Sequence, residues 1–91
     1  MKLRIWWIQG CGKQFTASVK SLVEGRKMLT LLTDYDQFQV DNNLKPDCCS
    51  LGGLEVFDGG WMEWENEDGQ NVYDLSVNDL KVLDSLERAT R

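Results

Sequence analysis

Histidine is absent from the 91 residues, which removes every Ser-His and Cys-His catalytic pair. Cysteine is scarce. Cys11, Cys48 and Cys49 are odd in number and lack metal-site spacing, and the neighbours Cys48 and Cys49 cannot bridge to each other without unusual strain. Reduced thiols with no bound metal are therefore expected, as suits a cytosolic compartment. No long apolar run is present. The stretch from Met1 to Gln9 is too short for a signal peptide or a membrane span, so a cytoplasmic protein that does not insert in a membrane is expected. Basic residues are few beyond residue 33. Residues 1–33 carry six Lys/Arg and one Asp/Glu, net +5, whereas residues 34–91 carry four and fourteen, net −10, which together make the overall −5. This split allows two readings: attraction between two parts of one fold, or an acidic surface that meets a basic partner.

What is present begins with a β-hairpin over residues 51–65. Two runs rich in β-branched and aromatic residues flank Asp58-Gly59-Gly60. A three-residue loop pairs Phe57 with Trp61, Val56 with Met62, Glu55 with Glu63 and Leu54 with Trp64. Leu54, Val56, Met62 and Trp64 then share the core face, and Glu55, Phe57, Trp61 and Glu63 share the outer one. A two-residue loop would mix the faces, so the longer loop is preferred. Gly60 is expected in its left-handed position.

Alternation over residues 2–9 puts Leu3, Ile5 and Trp7 on one face and Lys2, Arg4, Trp6 and Ile8 on the other. A second strand over residues 14–20, with Phe15, Ala17 and Val19 inward, completes an antiparallel hairpin. Ser21 and Glu24 make a capping box, which opens a helix over residues 22–33. Its expected buried stripe is Leu22, Met28, Leu29, Leu32 and Tyr35. Gly25 weakens the helix, and close packing on the sheet would explain it. Residues 34–40 read as a shorter helical piece, ended by Asn42 or Asn43 in a left-handed conformation. Lys45-Pro46 demands extended chain, within a loop over residues 44–53. Residues 71–75 suit either a short strand or irregular chain. A last helix over 77–88 places Leu80, Leu83 and Leu86 on its apolar side. The whole is one α+β domain, residues 1–91: an antiparallel sheet of two hairpins, a helix on one face, and a C-terminal helix.

Chemistry-bearing motifs fail on inspection. Gly12-Lys13 is not a phosphate loop, because Trp7 and Gln14 stand where glycine and a hydroxyl residue are needed. The acidic turn from Glu65 to Gln70 is not a calcium loop, because Trp64 and Leu75 would fall on ligand positions. Cys49 is better read as a small buried thiol than as a nucleophile. No catalytic residue, metal ligand or cofactor is assigned, and an enzyme is not expected. Lys2, Arg4, Lys13, Lys20, Arg26 and Lys27 could form a basic patch near Trp6 and Phe15. Net charge opposes direct nucleic-acid binding, and Lys2 and Arg4 can instead neutralise Glu55 and Glu63. The outer aromatics Trp6, Phe57 and Trp61 leave two readings, burial under the C-terminal helix or an interface anchor.

The opening Met1-Lys2-Leu3-Arg4-Ile5-Trp6-Trp7-Ile8 and the segment from Asp34 through Glu55 resemble small superinfection-exclusion proteins of temperate tailed phages and prophages. The likeness extends over about two thirds of the chain. It implies a phage or prophage product that acts inside the bacterial cell against a competing phage or a host defence. It carries over no active-site residues. The expected function is thus a non-enzymatic interaction protein that binds and blocks a host or phage protein, with Glu55, Phe57, Trp61 and Glu63 as contact patch. The alternatives are an acidic mimic of DNA, and a nucleotide or small-molecule sponge.

Overall fold

A computed structural model describes residues 1–9, 12–44 and 50–89, with side chains as far as Leu86. The three cysteines Cys11, Cys48 and Cys49 and the Lys45-Pro46 pair, with the expectations attached to them, lie outside the described residues. The chain runs β1 (Leu3–Gln9), β2 (Phe15–Val19), α1 (Leu22–Asp41), β3 (Ser50–Phe57), β4 (Trp61–Glu63) and α2 (Val77–Ala89). The strands form one antiparallel sheet in the order β2-β1-β3-β4. With two helices added, the fold is α+β. The two hairpins meet along β1 and β3, where Leu3 faces Val56, Arg4 faces Glu55 and Ile5 faces Leu54.

The expected hairpin register holds. Glu55 faces Glu63, Val56 faces Met62 and Phe57 faces Trp61. The Trp64 N–H then donates to the Leu54 carbonyl at 2.9 Å. The left-handed residue is Gly59, at φ +72°, and not Gly60. The Asp58 N–H reaches across it to the Gly60 carbonyl at 2.9 Å.

β3 begins at Ser50, so Gly52 and Gly53 belong to a strand and not to the expected loop. Glycine here serves close approach rather than a turn. Trp7 lies opposite Gly52 and Trp6 opposite Gly53. A Cβ on Gly52 would run into Cε3 of Trp7, and one on Gly53 would stand 2.7 Å from Nε1 of Trp6. Two successive tryptophans thus lay their rings over two successive glycines on opposite faces of the sheet.

α1 is one helix of 20 residues, where a break near residue 33 was expected. No glycine or proline interrupts residues 26–41, and the ladder simply continues. Ser21 caps it: its hydroxyl accepts from the Glu24 N–H at 3.1 Å, while the Glu24 carboxylate reaches back to the Lys20 N–H at 3.0 Å. Asn43, at φ 58°, follows its end. The buried stripe is Leu22, Gly25, Leu29 and Asp36. Met28 and Leu32 are half-buried and Tyr35 is exposed, because Met28 and Tyr35 each sit one residue, about 100° of helix, before a true core position. Gly25 packs against the sheet as expected, where a Cβ would meet Leu54 at 2.8 Å. The buried Asp36 accepts a hydrogen bond from the Ser50 hydroxyl at 3.0 Å, which ties α1 to the start of β3.

α2 packs on α1, and among the described residues its backbone comes close to no strand. Ser76 and Asp79 cap its start reciprocally, at 3.1 and 3.3 Å. Asp84 of α2 then caps α1: its two carboxylate oxygens accept from the N–H groups of Leu22 and Val23 at 2.9 and 3.1 Å. Those amides have no intrahelical partner, and the helix dipole favours a negative charge beside them. Residues 71–75 are turns with no strand. They are held by the Arg26 guanidinium, which donates to the carbonyls of Val72 and Leu75 at 2.8 and 2.6 Å.

The core lies between α1 and one face of the sheet. Leu3, Ile5, Trp7, Val19, Leu54 and Trp64 enter it from the sheet side, Leu22 and Leu29 from α1, and Val72, Leu75 and Leu80 from the C-terminal third. Besides Tyr35, three more expected core residues are exposed. Phe15 is at the far end of the edge strand β2, and Met62 is on the three-residue edge strand β4, while α1 packs over the sheet interior. Leu86 lies six residues past Leu80, near the end of α2. Val56 and Leu83 are partly buried against the core.

Candidate functional site

The other face of the sheet carries the side chains that alternate with the core: Lys2 just before β1, Arg4, Trp6 and Ile8 from β1, Glu55 and Phe57 from β3, Trp61 and Glu63 from β4. Burial under the C-terminal helix does not occur, because α2 contacts only α1 among the elements.

The register brings Glu55, Phe57, Trp61 and Glu63 onto this face together. Phe57 and Trp61 meet edge to face, with ring centroids 5.3 Å apart and planes at 66°, a geometry in which the positive ring edge meets the negative face. Phe57 stays 45% exposed and Trp61 half-buried. Two cations, Arg4 of β1 and Lys2 just before it, lie over these rings. The Arg4 guanidinium is 4.1 Å from the Trp61 centroid, and the Lys2 ammonium is 5.4 Å from Phe57 and 5.8 Å from Trp61. Each contact is worth about 0.5–1 kcal/mol at an exposed site.

Arg4 also donates from Nε to the Glu55 carboxylate at 2.8 Å. Of the neutralisation expected, the Arg4–Glu55 half is therefore formed. Lys2 is committed to the aromatic rings instead. Trp6 shares the face but not the cluster: the Arg4–Glu55 row separates it from Phe57 and Trp61, and its ring covers Gly53. The site is a platform of two aromatics and two stacked cations, flanked by Glu55 and Glu63. The part played by Lys2 and Arg4 was open to sequence reasoning, since alternation already places them on this face.

Tyr73 closes the sheet beside the platform. β4 pairs only with residues 55–57 of β3. The Tyr73 hydroxyl donates to the Gly52 carbonyl further along that edge, at 2.9 Å. Burial pushes its phenol above the ordinary value. Arg26 pulls it down, and Glu63 adds to the rise. A donor held in its neutral form suits a carbonyl partner.

Among the described residues, no three His, Cys, Asp or Glu side chains converge as metal ligands. The Glu65–Gln70 turn is organised by Asn66, whose side-chain oxygen accepts from the N–H groups of Asp68 and Gln70 at 3.0 and 2.8 Å. Gly69 takes φ +77° there. No described helix is long and apolar enough to cross a membrane.

The family model described as superinfection exclusion gene product 17 matches residues 2–87. The chain is also similar to the superinfection exclusion protein of Salmonella phage P22. The two are 48% identical over 69 residues, which span 75% of this chain and 67% of that protein. No solved structure matches.

Proposed function

The chain belongs to the superinfection exclusion gene product 17 family, and on that premise we propose that it acts in superinfection exclusion or anti-defence by binding and blocking a protein of the host or of another phage. Its place of action is the bacterial cytoplasm, and it works without catalysis or cofactor. The contact patch is Glu55, Phe57, Trp61 and Glu63, with Lys2 and Arg4 as part of the same surface.

One observation supports this reading above the others: a sheet face with no helix over it, on which Phe57 and Trp61 are held in fixed geometry by stacked cations. Aromatic side chains whose rotamers are already restricted lose little entropy on docking, and such residues dominate interface energetics. The Arg4–Glu55 pair sits at the rim of the aromatic pair. Its charges set orientation and encounter rate more than affinity.

The test begins with capture of the partner from a lysate of the bacterial host, with the full chain as bait. Trp61→Ala should weaken the captured complex about tenfold or more. Far-UV circular dichroism should match wild type, with the urea midpoint lowered by no more than about 1–2 kcal/mol of stability. A Trp61→Ala variant that folds and keeps full affinity would refute the patch.

A further inference from the structure

A groove of about 600 Å³ opens on the covered side of the molecule, away from the aromatic platform. Its apolar lining comes from Met1, Leu22, Trp64, Leu83 and Leu86, and its rim is the acidic turn with Glu65, Glu67 and Asp68. We propose that this groove docks a basic amphipathic segment of a protein partner, whose apolar side chains fill it while flanking lysines or arginines meet the rim. The groove is a second surface, independent of the platform.

Three observations bear on the occupant. The first is charge. Glu65, Glu67 and Asp68 are all exposed, and none pairs with a Lys or Arg among the described residues. Among the described residues, no Lys or Arg lines the groove. A neutral or acidic occupant would leave three carboxylates facing an apolar surface, whereas a basic one answers them. The second is preorganisation. The carboxylates stand on a turn fixed by the Asn66 hydrogen bonds and by the Asn66 side-chain amide, which donates to Gln70 at 2.9 Å. Little backbone ordering remains to oppose binding. The third is the floor. Leu86 is 57% exposed and Met1 42% exposed, beside the almost buried Trp64. The volume lies in the range of ligand sites, but the groove is open to solvent. A small molecule would keep much of its surface in water there, whereas a peptide crosses such a groove and inserts only its apolar side chains.

The probe is a fluorescein-labelled 18-residue peptide of leucine and lysine in helical amphipathic order, titrated by anisotropy into the full chain. A peptide of the same composition in scrambled order controls for attraction to net charge. The ordered peptide should bind at least tenfold more tightly than the scrambled one. The variants Leu86→Ser and Glu65→Gln/Glu67→Gln/Asp68→Asn should each weaken it severalfold, while Trp61→Ala leaves it unchanged. Amide shifts in nitrogen-labelled protein should cluster on residues 64–68 and 83–86. They locate the site on wild-type protein even where a variant fails to fold.

Equal binding of both peptides would overturn the proposal, since net charge alone would then account for it. So would affinity insensitive to both groove variants, or absence of binding. Concentration-dependent dimerisation abolished by Leu86→Ser would show a second copy as the occupant and overturn it too. The platform reading survives any of these results, and loss of the platform reading leaves the groove untouched.

Discussion

The two faces of the sheet are built from the same two central strands, β1 and β3, yet they obey different rules. On the inner face α1 lies over Leu3, Ile5, Trp7 and Leu54, all nearly sealed from solvent. On the outer face Arg4, Trp6 and Glu55 occupy the alternate positions of the same strands, with no helix above them. The inner side chains are held by burial, the dominant and non-directional term. The outer ones are held by directional pairwise contacts, Arg4 on Trp61 and on Glu55, Phe57 against Trp61. A surface ordered by pairwise contacts of about 0.5–1 kcal/mol each can exchange them for a partner at small cost. A face ordered by burial cannot.

The sharpest contrast is between two tryptophans three residues apart on one arm of a hairpin. Trp64→Ala should lower stability by about 3–5 kcal/mol, because a nearly buried indole leaves a cavity that α1 cannot fill. Trp61→Ala removes a half-exposed ring with its cation and Phe57 contacts and should cost only about 1–2 kcal/mol. Urea melts of the two variants measure the difference. Equal midpoints would erase the distinction between the faces.

The paired glycines break the same comparison at the backbone. Gly52→Ala drives a methyl into the ring of Trp7, which is packed in the core, and should cost roughly 1–3 kcal/mol. Gly53→Ala meets Trp6 on the open face. That ring can swing outward, so the cost should fall below about 1 kcal/mol. Thermal melts of the two single variants should show Gly52→Ala clearly lower.

The covered side depends further on α2. Asp84→Ala strands two amides at the start of α1 and should cost about 1–2 kcal/mol. Hydrogen exchange at Leu22 and Val23 should accelerate in this variant while the outer-face amides keep their protection. The smallest effect concerns pH. Because the Tyr73 phenol is raised in the folded chain, its contribution is present below the unfolded value near 10 and is lost as pH climbs from there through the folded value. Urea midpoints between pH 9 and 11 should therefore fall less for Tyr73→Phe than for wild type.

Local chemistry determined much of this protein. Period-two alternation decided the register of the β3–β4 hairpin and the membership of the outer face, since cross-strand partners must share a side. Ser21 and Glu24 marked the start of α1, because an N-cap is a matter of four consecutive residues. The outer patch of Glu55, Phe57, Trp61 and Glu63 was legible for the same reason. Only the tertiary structure decided which of those residues stayed uncovered. Gly52-Gly53 reads as a turn until Trp6 and Trp7 lie across from it, an arrangement set by pairing between residues more than forty positions apart. Asp84 reads as an exposed helix acid until α2 docks and places it on the first amides of α1. Phe15 and Met62 obey the core alternation and are still exposed. Alternation names a face, but its burial depends on how far the helix above it extends. The groove between Trp64, the acidic turn and α2 exists for the same reason. Its walls come from parts of the chain that meet only after folding.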